Sequence, residues 1–192
     1  MGGAQRDCSL GEGVYFSPED YIGFRRRLVI WLVDLIVVCM LWVMIKIVSF
    51  VLTDEQDLTP DFIWQFCAWA YLTVLRSSPV RTVGYWVTGA RIVNLQGTRP
   101  SVFRMTYRLL LNLYSPFNIL YDLLWVGVDQ DHQSLTDRFA GTCVVRKNSQ
   151  PVGRSEIHLA YYTALSVLYF YPCVIPPRET VKMNAPEAVG ET

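Results

Sequence analysis

An aspartate lies within an apolar segment of membrane length, two helical turns after an arginine. Arg27 directly precedes the apolar residues 28–52, and Asp34 lies in their first third. A carboxylate in the bilayer core costs roughly 2.5–3.5 kcal/mol at the helix centre and less near an interface. Residues at this spacing share one helical stripe, about 10 Å apart along the axis. Both side chains can therefore face one polar seam, and an ionisable group in this setting is a candidate functional site.

Two kinds of chemistry fit Asp34. It could bind a proton or a small cation, because the surroundings of a buried carboxylate set its pKa. It could instead accept hydrogen bonds or pair with an arginine, and so hold helices together. The first interpretation predicts an ion or proton path that also includes polar residues of a later apolar segment, namely Asn112, Asn118 and Asp122.

The composition indicates an integral membrane protein. The 192 residues have room for one domain, and 52% of them are hydrophobic while only 18% are charged. The net charge of zero gives no sign of nucleic-acid binding. No enzymatic motif, metal-ligating cysteine pair or cofactor-binding motif is present, so we expect no catalytic residue, no metal and no cofactor.

The charges predict the topology. Residues 1–21 form a polar tail, residues 28–52 a first span that is too long for a signal peptide, and residues 62–75 a second, shorter span. The loop between the spans is acidic, whereas the residues after the second span carry arginines without any acid up to Asp122. Basic residues favour the cytoplasm. We therefore expect a multi-pass protein whose N-terminus is cytoplasmic.

A small cytoplasmic β element and a broken helix follow. Alternating residues predict strands within residues 82–100 and at residues 141–146. Between them, residues 104–128 predict a helical hairpin that dips into the membrane, because Ser115-Pro116 breaks the apolar stretch. The alternative is a full span over residues 109–128, which would put the second strand outside.

The last part of the chain, residues 148–192, is expected to be an extension. Its apolar segment, residues 157–175, is either a third span or an interfacial helix, and the sequence leaves the side of the C-terminus undecided.

The acidic residues between the predicted hairpin and the second strand are expected to have structural rather than ligand-binding roles. Asp137 is interpreted as a capping or turn residue that closes the β element against Arg91 or Arg27, rather than as a cation ligand. A solvated loop rather than a metal site is expected for Asp129, Asp131 and His132.

Three blocks of residues resemble the RDD family of bacterial membrane proteins, named for one arginine and two aspartates. The first block is Gly23-Phe24-Arg25-Arg26-Arg27 through Asp34. The middle block holds Thr82-Val83-Gly84, Gly89-Ala90-Arg91-Ile92-Val93, Gly97, Arg99-Pro100-Ser101 and Arg108. The third is Leu135-Thr136-Asp137-Arg138-Phe139-Ala140-Gly141. Thr136 and Tyr85 depart from the histidine and lysine that are frequent in the family.

The resemblance implies a charge triad of Arg27, Asp34 and Asp137 within an RDD-like membrane domain at residues 22–147. It also implies a multi-pass protein of the bacterial inner membrane. The apolar segments themselves predict an α-helical integral membrane protein with two to four membrane-embedded helices. The expected function is a small transporter or cation/proton exchanger that works as an oligomer. The alternative is a non-catalytic membrane scaffold or assembly factor that binds other membrane proteins. Its partners would be the bilayer, further copies or other membrane proteins, and small cations in the first case.

Overall fold

The longest element is a helix whose polar residues face inward. The computed structural model describes residues 10–52, 58–114, 133–164 and 167–175. Helix α1 (Phe24–Leu52) has 29 residues, and its length of about 43 Å is enough to cross a bilayer. Its buried residues are Arg27, Ile30 and Asp34, and only 11% of its most apolar window is buried. A helix of a soluble core buries its apolar side chains, so this inverted burial is typical of a helix surrounded by lipid.

Among the described residues, α1 is the one helix long and apolar enough to span a membrane. The segment expected as a second span, residues 62–75, is divided between α2 (Thr59–Trp69) and a π-helical segment (Ala70–Leu75). Helix α2 packs against α1, and the indole N–H of Trp64 donates to the carbonyl of Val38 at 3.2 Å. Length and composition therefore show one candidate span and not the two expected.

The two predicted strands of the β element pair with each other. Strand β2 (Ala90–Asn94) runs antiparallel to β3 (Thr142–Arg146), with Ala90 opposite Arg146 and Asn94 opposite Thr142. A short helix, α3 (Val83–Val87), precedes β2 and packs against α1. Apolar side chains between these elements form a buried core that consists of Ile22, Ile30, Tyr85, Ala90, Ile92, Met105 and Val144.

Two further helices lie against this element. Helix α4 (Val102–Tyr114) covers the first part of the predicted hairpin, while Ser115, Pro116 and the rest of that hairpin lie outside the described residues. The full span proposed for residues 109–128 also falls largely outside them. Helix α5 (Leu135–Ala140) precedes β3 and ends at Gly141, whose φ of 59° lies in the left-handed region that favours glycine.

The C-terminal apolar segment is a β-hairpin, which corrects the helix predicted for residues 157–175. Strands β4 (Gly153–Ala164) and β5 (Val167–Val174) pair antiparallel from Ile157 opposite Val174 to Ala164 opposite Val167. The tyrosines of this segment favour strands, and β5 is an edge strand, where a proline such as Pro172 is tolerated. A short apolar run does not distinguish a strand from a helix by periodicity alone. The segment is thus neither a third span nor an interfacial helix.

The N-terminal tail also differs from the expectation. Within residues 1–21, strand β1 (Glu12–Tyr15) pairs with β4, from Glu12 opposite Glu156 to Tyr15 opposite Gly153. Phe16 follows this strand and is 4% exposed in a second apolar cluster. Residues of the N-terminal tail and of the C-terminal extension therefore form one three-stranded sheet, while Phe16 packs on Val93, Cys143 and Val145 of the β2–β3 pair.

Candidate functional site

Asp34 is buried in α1, and its carboxylate accepts four hydrogen bonds. Oδ1 accepts from the hydroxyl of Tyr71 at 3.0 Å and from the backbone N–H of Gly84 at 2.9 Å. Oδ2 accepts from the hydroxyl of Thr82 and from the guanidinium of Arg76, each at 2.8 Å. A carboxylate has about four acceptor positions. All of them are therefore filled, at a side chain that is only 2% exposed.

The π-helical segment brings two of these donors to the same side. Residues five apart point in different directions on an α-helix, whereas the hydrogen bonds of a π-helix connect i with i+5. Tyr71 lies in this segment and Arg76 directly follows it. Within the segment, the hydroxyl of Thr73 donates to the carbonyl of Trp69 at 2.6 Å. The wider turn thus allows both Tyr71 and Arg76 to reach Asp34.

Helix α3 provides the other two donors from its first turn. Backbone N–H groups at a helix start have no partner within the helix, and that of Gly84 donates to Asp34. A Cβ at Gly84 would lie 2.5 Å from the carbonyl oxygen of Ile30 and 2.8 Å from Oδ1 of Asp34. Glycine is therefore needed here so that α3 can approach α1 this closely.

A second buried carboxylate, that of Asp137, lies between two arginines. Arg27 of α1 and Arg108 of α4 both form ion pairs with it, and the hydroxyl of Thr142 donates to its Oδ1 at 3.3 Å. Asp137 also completes a capping box with Ser134 at the start of α5. One fully buried side chain therefore connects α1, α4, α5 and the start of β3.

The arginines determine the charge state of this second site. Burial would raise the pKa of Asp137, but the guanidinium groups of Arg108 and Arg27 outweigh it and hold that pKa below its ordinary value of 3.8. Burial, together with the nearby charge of Asp137, raises the pKa of the Cys143 thiol to about 12. At neutral pH, Asp137 is therefore ionised, whereas Cys143 is a protonated thiol and a poor nucleophile.

The residues expected as a triad belong to two separate networks. Arg27 pairs with Asp137, while Asp34 pairs with Arg76. The sequence interpretation missed Arg76 and Arg108 as site residues, because it explained the arginines of the acid-free stretch as markers of the cytoplasmic side. These arginines could have been found as candidates from the rule that a buried carboxylate needs an opposite charge close by.

The expected ion path is not assembled in the described part of the chain. Asn112 lies on α4, and its buried Oδ1 has no hydrogen-bond partner among the described residues. Asn118 and Asp122 lie outside the described residues. The three residues expected in a solvated loop, Asp129, Asp131 and His132, also lie outside the described residues. Where side chains are described, no three His, Cys, Asp or Glu residues converge as a metal site would require.

An apolar helix long enough to span a membrane, joined to the rest of the fold by buried ion pairs, is typical of a membrane-associated domain. The chain belongs to the RDD family, whose model matches residues 21–141, and this confirms the resemblance drawn from the three sequence blocks. The matched region contains Arg27, Asp34 and Asp137. No curated protein and no solved structure matches the chain.

Proposed function

We propose that this RDD-family chain is a non-catalytic, non-transporting membrane scaffold that binds other membrane proteins or further copies of itself. The observation that carries the proposal is the filled coordination of Asp34. A carboxylate in an exchange path must give up its protein partners for an ion or a proton. Asp34 instead accepts four hydrogen bonds, one of them from the charged Arg76, so its chemistry suits a structural contact.

The exposed surface of α1 supports the same role. Large apolar side chains along the rest of the helix are more than half exposed, for example Met40, Met44, Ile47 and Phe50. Lipid or helices of neighbouring proteins can cover such a surface, and long flexible Met side chains adapt to varied partners. The two carboxylate networks hold the base of α1 against the π-helical segment, α3, α4 and α5, so the free surface is presented in a fixed orientation.

The proposal includes a bacterial inner-membrane location with a cytoplasmic N-terminus. The arginines in the first turn of α1 and those after the second helical segment support this orientation. Because β2 pairs with β3, the chain between them must return to the same side of the membrane. This supports a hairpin over residues 104–128, and a multi-pass chain, over a full span.

A cation/proton exchanger is the second candidate. The observation in its favour is that the hydroxyl groups of Tyr71 and Thr82 lie within 3.0 Å of the Asp34 carboxylate. Oxygen atoms of this kind are ligands for small hard cations. Exchange would require Arg76 to leave Asp34, and it would require an oligomer to enclose a path.

Proton movement in sealed proteoliposomes distinguishes the two candidates. Wild type and Asp34→Asn are reconstituted and exposed to gradients of sodium, potassium or lithium, with Asp61→Asn as a matched control. Asp61 pairs with Lys46, and both side chains are 39% exposed, so this control changes an acid outside the buried networks.

The scaffold proposal predicts no cation-dependent proton flux from folded wild type. It also predicts that Asp34→Asn lowers the thermal stability of the protein in detergent, whereas Asp61→Asn does not. Cation-dependent flux from wild type that a folded Asp34→Asn lacks would contradict the scaffold and establish the exchanger.

A further inference from the structure

An open groove of about 510 Å³ lies between α4, the end of α5 and the β4–β5 hairpin. Its walls are largely apolar and include Leu95, Phe103, Tyr107, Phe139, Ile157 and Pro172. Neither Asp34 nor Asp137 lines it, so the groove is separate from both carboxylate networks. Its size and apolar walls are those of a ligand site.

Arg104 is the charged residue among the groove walls. Its Nη1 donates to the carbonyl of Gly141 at 3.5 Å, the outer limit of a hydrogen bond. Among the described residues, no carboxylate forms an ion pair with Arg104, unlike Arg27 and Arg108, which both pair with Asp137. A guanidinium beside apolar walls is complementary to a ligand that carries an anionic group on a hydrocarbon chain.

The ion pairs of Asp137 bring the groove close to the start of α1. Arg27, in the first turn of α1, and Arg108, in the middle of α4, bind the same carboxylate. The middle of α4 is therefore level with the start of α1. Arg104 is one helical turn from Arg108, so its guanidinium is expected near the headgroups.

One face of α4 is apolar and exposed beside the groove. Phe103 is 89% exposed, Leu110 58% and Leu113 69%. Tyr107, at 47%, lies between them at the spacing of one helical face. An exposed apolar helix face of this kind is expected to contact the acyl chains of the bilayer.

We propose that the groove binds one anionic phospholipid from the surrounding bilayer. The phosphate contacts Arg104, and an acyl chain lies along the apolar walls towards the exposed face of α4. Binding favours anionic over zwitterionic lipid, because the headgroup of the latter carries a positive charge that the guanidinium repels. This site depends on the membrane location of the chain and not on the scaffold role, so either can fail without the other.

Lipid retention measured by native mass spectrometry tests the proposal. The full chain in detergent is titrated with phosphatidylglycerol or with phosphatidylcholine. Wild type is expected to retain phosphatidylglycerol preferentially, and loss of a charge-assisted contact in Arg104→Gln weakens its binding roughly tenfold. Arg99→Gln is the matched control, because Arg99 is an exposed arginine near the start of α4 that does not line the groove.

A second variant separates binding from folding. Phe103→Ser removes an aromatic ring from the groove wall, so it is expected to reduce retention of both lipids. Because Phe103 is 89% exposed, the substitution is expected to preserve the melting temperature. Equal retention of the two lipids by wild type would overturn the proposal. So would retention by Arg104→Gln equal to that by Arg99→Gln. If Arg104→Gln proves unstable, unchanged retention by Phe103→Ser would overturn it instead.

Discussion

The backbone N–H of Gly84 donates to the carboxylate of Asp34 at 2.9 Å, across 50 positions of sequence. This contact exists because a residue without a side chain allows α3 to lie against the backbone of α1. It also supplies a polar partner to a carboxylate in a helix whose most apolar window is only 11% buried. Close approach and charge compensation therefore depend on the same glycine.

Replacement of Gly84 by alanine is expected to separate α3 from α1. The added Cβ would lie 2.5 Å from the carbonyl oxygen of Ile30, and a backbone atom cannot move aside independently. We expect a loss of about 1–3 kcal/mol in unfolding free energy, measured by chemical denaturation in detergent. Gly23→Ala is the control, because a Cβ there would meet nothing within 4 Å. Equal stability of the two variants would show that the helices are not in contact.

The ion pair between Arg27 and Asp137 is expected to contribute far more than a surface pair. Arg27→Gln leaves a buried carboxylate with one arginine fewer, which costs about 3 kcal/mol. Lys46→Gln breaks the half-exposed pair with Asp61, which costs less than about 1 kcal/mol. Thermal melting of both variants in one detergent measures the difference. Similar losses in the two variants would contradict the buried position of Asp137.

The stability of the protein should depend on pH through Asp137. The paired arginines lower the pKa of Asp137 in the folded chain below the ordinary value of 3.8. The unfolded chain then binds the proton more readily, so the ion pairs contribute their full stabilisation above that value. The stabilisation is lost as the pH falls through the lowered pKa. Melting temperatures between pH 7 and pH 3 measure this, and Asp137→Asn should flatten the acid side of the profile.

The sequence contained the signals for α1, for the pairing of the two β-element strands and for the charged residues themselves. Each signal lies within one short segment: a run of apolar residues for α1, alternating apolar and polar residues for the strands, and an acid among apolar residues for the charged site. The sequence offered Arg27 as one possible partner of Asp137, and the structure shows that ion pair. The partner of Asp34 was not predictable in the same way, because helix spacing placed Arg27 and Asp34 on one stripe but said nothing about other helices. Asp137 binds Arg27 and Asp34 binds Arg76 only after the whole chain has packed.

The β-hairpin at the C-terminal side shows where apolar patterns mislead. Residues 157–175 are apolar and rich in tyrosine, which also describes an interfacial helix. Residues 157–164 pair with residues 167–174 of the same segment, whereas β1 pairs with residues 153–156, which precede that segment. The partner strand was therefore close in sequence, but a short apolar run does not distinguish a strand from a helix by periodicity alone.

The distance between Arg27 and Asp137, 110 positions, has a consequence for synthesis of the chain. At about 5–20 residues per second, the ribosome adds Asp137 roughly 5–20 s after Arg27. During that interval α1 can already have entered the bilayer, while the acid that will bury Arg27 does not yet exist. The positive charge therefore remains at the membrane surface and orients the nascent helix first, and only afterwards does it become part of the folded interior.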